Sequence, residues 1–404
     1  MTLFAFGRSM WVLSAKTVRH YSVKTGGISN RMDYGIGIPS YIDAWREVKA
    51  AEDAGFTHAW FFDSQLIYSD VWATMALAAQ FTSRIKLGTL VAIPSNRLAP
   101  VTAAAAASIN KIAPGRVIVG LGTGYTGRNT MGLPALTMDA FEEYARQVKG
   151  LLNGEDVLLR EGSRERWIRL IHAKSNSGRD EFFNIEDHIP VMLAANGPRG
   201  QKITGEISDG WIMTARSASV PDGLPRVIAA AEATGNNFDR FGGEGAKPYV
   251  TVLTTSCVFR DGESLTSERV VRNVGPTLLP GIHAMWERDF GPGSNLGMSN
   301  PGLAQEYDRY IREYGESRPA PTPDDRRYLD VHEGHYVYLK DGEERFVSPE
   351  MVGRTLTGTA DEICEKLDDL EAIGVNNVAL AAIDRQAARD LIADFGEQVI
   401  RCRQ

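Results

Sequence analysis

The fold is decided first by residues 34–62, YGIGIPSYIDAWREVKAAEDAGFTHAWFF, in which two short apolar runs flank a stretch with helical periodicity. The runs Tyr34–Ile38 and Thr57–Phe62 contain β-branched and aromatic residues, which predicts strands. Between them, Tyr41–Ala54 is predicted to be a helix, because its apolar residues recur on one face. These residues are Ile42, Trp45, Val48 and Ala51. A strand, a helix and a strand in this order predict a parallel βα unit.

The same alternation continues along the chain. Six further strands are predicted at Ile85–Ile93, Arg116–Leu121, Pro190–Ala195, Trp211–Thr214, Tyr249–Phe259 and Asn377–Ile383. The alternation fails between about residues 260 and 349, which we interpret as a large insertion after the seventh strand. Eight strands in βα order favour a closed (β/α)₈ TIM barrel over an open doubly wound sheet. Such a sheet usually has a glycine-rich loop after its first strand, whereas Pro39 and Ser40 stand here.

Composition narrows the class of protein. The 404 residues carry a net charge of −7, 43% hydrophobic residues and three cysteines. No apolar run approaches the roughly 18 residues that a membrane span requires. We therefore expect a cytoplasmic protein without a disulfide framework that binds neither nucleic acid nor membrane.

Residues 1–31 differ from the rest of the chain in charge. They contain no acidic residue and five basic ones, namely Arg8, Lys16, Arg19, Lys24 and Arg31. We interpret them as a disordered N-terminal extension, and residues 32–404 as the barrel domain. A targeting segment and an extension from an upstream start codon are both compatible with this composition.

The loops that follow the predicted strands are rich in glycine and small polar residues. The active site of a TIM barrel lies on these loops. They include Asp63–Gln65, Gly122–Tyr125, Asn196–Pro198 and Thr214. Backbone N–H groups at such a loop bind phosphate when a helix begins directly behind them. Asn196, Gly197 and Pro198 are the strongest candidates, because proline in a first helical turn leaves neighbouring N–H groups free. An ordinary capped loop is the alternative.

Five stretches carry a family resemblance: Ala51–Trp60, Lys86–Thr102, Pro114–Gly124, Ala194–Gly210 and Leu356–Thr359. Together they resemble the luciferase-like flavin- and F420-dependent oxidoreductases. This family includes FMN-using, bacterial luciferase-like monooxygenases and proteins similar to methylenetetrahydromethanopterin reductase. The resemblance implies that a flavin or deazaflavin lies over the barrel mouth.

The resemblance also implies which residues hold the cofactor. The ring system would lie against a non-proline cis peptide at the end of the third strand, which maps onto Leu90 and Val91, near the Gly-Thr-Gly loop that contains Thr123. The phosphate would be held by the loops after the fifth and sixth strands. The cofactor residues implied in this way are Leu90, Val91, Thr123, Asn196, Gly197, Pro198 and Thr214.

Four side chains are predicted to be catalytic: Asp63, Gln65, Tyr125 and His335. Asp63 and Gln65 would orient the substrate or the flavin, with helix capping as the alternative for Asp63. Tyr125 would donate its phenol to a developing oxyanion or pack against the ring. His335 would act as an acid or base, or lie in a lid formed by the insertion. His332 and His335 lack the order His-Glu-x-x-His, so no metal site is predicted.

Two departures from the family pattern guide the functional prediction. Ser64 stands where many relatives have histidine, and Tyr125 stands where the F420-dependent sugar dehydrogenases have an acid. The first hypothesis is therefore an FMN-dependent monooxygenase that receives reduced FMN from a separate reductase and acts on a small organic substrate. An F420-dependent hydride-transfer enzyme and a non-catalytic flavin-binding barrel are the alternatives. The resemblance further implies a homodimer or a higher homo-oligomer.

Overall fold

Eight parallel strands close into a barrel in the computed structural model, which describes residues 32–173, 182–214, 219–291 and 300–403. The strands are β1 (Asp33–Ile38), β2 (His58–Phe61), β3 (Lys86–Thr89), β4 (Val117–Leu121), β5 (Val191–Ala194), β6 (Gly210–Met213), β7 (Val250–Thr254) and β8 (Asn377–Ala381). Each strand pairs with its neighbour in sequence, and β8 pairs with β1. The predicted TIM barrel is confirmed. The predicted extension, residues 1–31, lies outside the described residues.

Helices follow the strands and pack on the outside of the barrel. They span Trp45–Asp53, Val71–Phe81, Ala99–Ile112, Met138–Leu152, Pro198–Ile207, Val220–Thr234, Ala360–Ala372 and Arg385–Phe395, and the chain continues into a π-helical turn, Gly396–Ile400, and a short helix, Arg401–Arg403. Several begin at a polar side chain that accepts a hydrogen bond from the first helical turn, namely Asp70, Thr137, Thr359 and Asp384. These caps satisfy N–H groups that have no partner within the helix.

Two segments differ from a simple alternation of strand and helix. After Met138–Leu152, the strands Val157–Glu161 and Arg164–Ile168 form an antiparallel hairpin. The predicted seventh strand, Tyr249–Phe259, divides into β7 and a separate strand, Ser256–Val258. β7 pairs with β6 and β8 inside the barrel, whereas Ser256–Val258 pairs with Leu356–Gly358 outside it. Thr255, between the two halves, donates its hydroxyl to the carbonyl of Ala381.

The interior of the barrel is filled by large apolar side chains. They include Trp60, Ile118, Met192, Ile212 and Tyr249. The Trp60 indole fits only because its neighbours lack side chains: a Cβ on Gly35 or Gly88 would lie 2.5 or 2.4 Å from the ring. Its Nε1 donates to Asn377 Oδ1 at 3.1 Å. The interior is thus a packed core. A ligand would therefore bind at the mouth, which lies at the carboxyl ends of the strands.

The predicted insertion after the seventh strand is present and has a hydrophobic core of its own. It begins after Ser256–Val258, which pairs in parallel with Leu356–Gly358 at its end. Its helices are Glu268–Leu278, Pro280–Asp289, Pro301–Glu316, Tyr328–His332 and Pro349–Gly353, with 3₁₀ turns at Asp324–Arg326 and Glu343–Phe346. Val274, Ile282, Trp286, Tyr307 and Val331 lie in this core. Among the described residues, no helix has both the length and the apolar character needed to span a membrane.

Candidate active site

The loop after β2 is tied to the loop after β3 by a carboxylate. Asp63 Oδ2 accepts a hydrogen bond from the backbone N–H of Ile93 at 3.1 Å, and the Asn96 amide lies 3.5 Å from both carboxylate oxygens. Burial raises the pKa of Asp63, against the lowering effect of these hydrogen bonds. The structure therefore places this predicted catalytic residue where its carboxylate joins two loops of the mouth.

Gln65 connects the same loops to the short helix Tyr125–Asn129, which follows β4. Its Nε2 donates to the carbonyl of Gly127 at 2.7 Å, and its Oε1 accepts from Asn96 at 2.8 Å. Gly127 is required at this point, because a Cβ there would lie 2.5 Å from the Ile93 side chain. Gln65 thus holds three loops together, while its side chain remains exposed at the mouth.

The end of β3 lies against the loop after β4. The peptide bond between Leu90 and Val91 is cis, as the resemblance implied. A Cβ on Gly122 would lie 2.4 Å from Val91 Cγ2, and one on Gly124 would lie 2.6 Å from Ile93 Cγ2. Gly124 also has a positive φ of 84°, which favours glycine. These glycines allow the two loops to touch, with Thr123 half-buried between them.

The loops after β5 and β6 are joined by a reciprocal pair. Asn196 Nδ2 donates to Thr214 Oγ1 at 2.9 Å, and the backbone N–H of Thr214 donates to Asn196 Oδ1 at 3.2 Å. The helix Pro198–Ile207 begins directly behind this pair, with Gly197 at its N-cap. Within the part of the chain that the structure describes, and apart from its two chain neighbours, no atom lies within 4 Å of a Cβ built on Gly197. The structure thus brings the four predicted phosphate-binding residues together at an open helix N-terminus, which suits an anion.

Three tyrosines lie at the mouth, of which the sequence analysis named only Tyr125. The Tyr68 ring is 6.1 Å from Phe62, and its hydroxyl is buried without a hydrogen-bond partner among the described residues. Tyr336 is the one described residue other than glycine with a positive φ, at 61°. The Tyr336 phenol interacts electrostatically with those of Tyr68 and Tyr125. Only the adjacency of Tyr336 to His335 hinted at its position from sequence.

Burial keeps these phenols protonated. It raises the pKa of Tyr125 to about 12, with a smaller contribution from the Glu287 charge, and the pKa of Tyr336 to about 12. It raises the pKa of Tyr68 further. The three groups are therefore hydrogen-bond donors at neutral pH, and they can stabilise an oxygen atom that gains negative charge.

His335 connects the insertion to the mouth. It is 3% exposed, and its Nε2 lies 3.4 Å from Thr126 Oγ1 on the short helix after β4. Its Nδ1 lies 2.7 Å from Nδ1 of His283, a residue that the sequence analysis did not name. Burial lowers the pKa of His335 well below its usual range. The imidazole is thus neutral and enclosed, with Thr126 between it and the mouth.

The residues present fit a flavin or deazaflavin. The open N-terminus at Gly197 can receive a phosphate, and the unpartnered hydroxyl of Tyr68 can reach a partner only from a bound molecule or water. The apolar side chains of Leu90, Val91 and Ala194 pack against the barrel interior beside them and can support a ring system.

Known proteins are similar to this chain in sequence and in fold. A 5,10-methylenetetrahydromethanopterin reductase of Methanolobus tindarius is 32% identical over 169 residues, which cover 41% of this chain and 48% of that protein. An F420-dependent hydroxymycolic acid dehydrogenase of Mycobacterium tuberculosis is 32% identical over 201 residues, 47% of this chain and 53% of that protein. The chain thus spans about half the length of these curated relatives.

The similarity of fold extends over nearly the whole chain. The structure of the coenzyme F420-dependent tetrahydromethanopterin reductase of Methanopyrus kandleri superposes with a TM-score of 0.60 and 20% identity, over 92% of this chain and 99% of that one. The family described as luciferase-like monooxygenase matches residues 25–377. With the closed barrel and the loops at its mouth, this match shows that the chain belongs to the luciferase-like monooxygenase family.

Proposed function

We propose that this protein is an oxidoreductase that binds coenzyme F420 at the barrel mouth and transfers a hydride between the cofactor and a small organic substrate. The observation that carries the proposal is the open helix N-terminus at Gly197. Asn196, Gly197, Pro198 and Arg199 are all exposed, so a phosphate bound there can continue outward as a diester. F420 carries such a diester and an oligoglutamate tail, whereas FMN ends at its phosphate.

The named relatives support the same choice. Both curated relatives described above are reductases or dehydrogenases, and one is F420-dependent by name. Ser64 and Tyr125 favour FMN over F420 in the sequence. We interpret these two positions as concerning proton transfer to the substrate. Neither is one of the predicted cofactor-binding residues. We therefore propose F420 rather than FMN as the cofactor.

The residues of this chain would act in distinct ways. Backbone N–H groups behind Gly197, with the Asn196–Thr214 pair, would hold the phosphate. Val91 would support the ring system, and the neutral phenols of Tyr68 and Tyr125 would donate hydrogen bonds to the substrate oxygen. When bound, F420 supplies a carbon centre that accepts or donates a hydride.

An FMN-dependent monooxygenase is the second candidate. It is favoured by the buried Ser64, which leaves the mouth without the imidazole that hydride-transferring relatives place after β2. Titration of the purified protein with F420 and with FMN separates the two candidates. We expect micromolar or tighter binding of F420 and anaerobic, substrate-dependent reduction of it. Tight FMN binding without F420 binding would contradict the proposal.

A substitution at Gly197 tests the phosphate site. Gly197→Val places a branched side chain where the phosphate would lie, and we expect roughly tenfold weaker F420 binding, about 1.4 kcal/mol. The phosphate-free deazaflavin should lose little affinity. Gly302→Val is the control, because Gly302 is also an exposed glycine at the start of a helix but belongs to the insertion. Equal losses for both ligands would show that Gly197 does not contact the phosphate.

A further inference from the structure

Three histidines meet inside the insertion, although they come from two distant parts of the sequence. His283 lies on the helix Pro280–Asp289, and His332 and His335 lie at and after the end of Tyr328–His332. One ring nitrogen from each histidine lies within 4.8 Å of those of the other two. The His-x-x-His spacing of His332 and His335 did not by itself predict a metal site. The third histidine, His283, is 49 positions away from His332 in sequence and becomes its neighbour only in the fold.

Each imidazole is held through Nε2 by an oxygen atom outside the cluster. His332 Nε2 lies 2.8 Å from Glu287 Oε1, and His283 Nε2 lies 3.3 Å from Glu343 Oε1. Thr126 Oγ1 is the corresponding neighbour of His335 Nε2, at 3.4 Å. Metal-ligating histidines are oriented in this way, with one ring nitrogen on a carboxylate or another oxygen and the other on the metal.

These contacts through Nε2 leave Nδ1 of each ring as the nitrogen available to a metal ion. The Nδ1 atoms of His283 and His335 are 2.7 Å apart. Only 9% of the His332 side chain is exposed. Its Nδ1 is buried and has no hydrogen-bond partner among the described residues. A buried ring nitrogen without a partner is costly, and a bound cation would satisfy it.

We infer that His283, His332 and His335 form a binding site for a divalent transition-metal ion, with Zn²⁺ as the best match. Three imidazoles at Zn–N distances of about 2.0–2.1 Å in tetrahedral geometry place their nitrogens about 3.3 Å apart. Nδ1 of His283 and Nδ1 of His335 are 2.7 Å apart, and one ring nitrogen of each histidine lies within 4.8 Å of the others, so small ring movements complete the site.

The surrounding charges favour a cation. Glu287 and Glu343 are 2% and 1% exposed, and the one lysine beside them, Lys340, places its Nζ 2.6 Å from Glu343 Oε1. Two carboxylates against one ammonium leave a net negative charge next to the imidazoles. Binding requires that the proton between the two facing Nδ1 atoms move to Nε2 of His335, whose N–H can then donate a hydrogen bond to Thr126 Oγ1. The ion would join the insertion to the loop after β4.

Metal binding by the untagged, chelator-treated protein tests the inference. We expect about one equivalent of Zn²⁺ after dialysis, measured by plasma mass spectrometry, and a Co²⁺ derivative with the intense visible bands of a tetrahedral site. His332→Ala should weaken binding at least tenfold, whereas His172→Ala should not change it, because His172 is exposed and lies outside the insertion. Less than about 0.1 equivalent in the wild type, or unchanged affinity in His332→Ala, would overturn the inference.

Glu287→Gln is the second variant, in case His332→Ala does not fold. The amide keeps the shape of the side chain but removes the charge that orients His332. Such changes around metal sites cost about 10–100-fold in affinity. We expect this loss together with an unchanged circular dichroism spectrum and unchanged F420 binding. Zn²⁺ affinity equal to that of the wild type would show that the Glu287–His332 contact serves packing alone.

Discussion

Around the predicted phosphate site and the tyrosines of the barrel mouth, the polar groups are backbone amides, a carboxamide–hydroxyl pair and neutral phenols. In the insertion they are buried carboxylates, imidazoles and an ammonium group. Asn196 and Thr214 satisfy each other and remain accessible at the mouth. In the insertion, Glu343 Oε1 is shared by Tyr307, His283 and Lys340, all of which are buried.

This difference teaches how the two regions should respond to substitution. The Asn196–Thr214 pair and the glycine loops of the mouth can lose one contact without leaving a buried charge, so changes at these positions should alter cofactor affinity more than stability. In the insertion, each group compensates another that cannot reach water, so a single deletion leaves an unpaired charge. Changes there should alter stability more than cofactor affinity.

The largest expected effect is that of Glu343→Ala. It would leave the buried ammonium group of Lys340 without its carboxylate, and breaking a buried pair in this way costs roughly 3–5 kcal/mol. The His283 hydrogen bond and Lys340 lower the pKa of Glu343 to about 2 despite its burial, as expected for a carboxylate that is needed in its charged form. Urea unfolding measures the loss. Glu344→Ala, which removes an exposed neighbour, is the control and should cost less than about 0.5 kcal/mol. An equal effect of the two variants would break the comparison.

The next largest effect is a pH dependence of the free energy of unfolding, which arises from His58 in the barrel. Burial lowers the pKa of His58 from 6.5 to about 3, and its Nε2 has no partner among the described residues. The unfolded chain therefore binds a proton that the folded barrel excludes between these values. Stability from this residue is complete above pH 6.5 and falls as the pH decreases toward 3, by roughly 1 kcal/mol per pH unit.

Chemical unfolding of the wild type and of His58→Gln at pH 7, 6 and 5 measures this contribution. The difference in unfolding free energy between the two proteins should shrink as the pH falls, because glutamine does not titrate. His172→Gln, at an exposed position, should track the wild type at every pH. A constant difference between wild type and His58→Gln would mean that His58 accepts its proton in the folded barrel.

The smallest effect on stability is expected at the mouth, from Gly122→Ala. The new Cβ would lie 2.4 Å from Val91 Cγ2 and would push that side chain toward the cofactor. We expect roughly tenfold weaker F420 binding, with destabilisation at the low end of the 1–3 kcal/mol typical of overpacking. Fluorescence titration and urea unfolding separate the two quantities. Gly281→Ala adds a methyl group with no described atom within 4 Å, on the helix Pro280–Asp289. It should leave F420 affinity unchanged and should not destabilise the protein. A large loss of stability in Gly122→Ala with unchanged F420 affinity would contradict the expectation that changes at the mouth alter cofactor affinity more than stability.

Periodicity predicted the barrel well because local signals agree with the fold. Six of the eight predicted strands contain the observed one, and the other two, Tyr34–Ile38 and Trp211–Thr214, begin one residue late. The agreement follows because parallel strands buried on both faces form short apolar runs. The division of the strand Tyr249–Phe259 was missed because both halves are apolar and β-branched. What distinguishes them is their pairing, since the second half pairs with Leu356–Gly358, about 100 positions away in sequence, and such a contact leaves no local signal.

The candidate site was predictable where it is made from loops and was missed where it is made from long-range contacts. Asn196, Gly197, Pro198 and Thr214 follow strand ends, and the rule that such loops meet at one end of a barrel places them together. Tyr68 and Tyr336 carry no motif. Asp63 and Gln65 follow a strand end as predicted, but their partners Ile93, Asn96 and Gly127 could not be known from spacing.

By itself, the sequence determined the order of strands and helices, the closure of the barrel and the loops that surround its mouth, because these depend on periodicity and on residues next to one another. Only the tertiary structure decided that His283 joins His332 and His335, that Glu287 and Glu343 orient them, and that Thr126 connects them to the mouth. The physical reason is that burial and charge compensation arise from chain segments that meet only when the insertion folds.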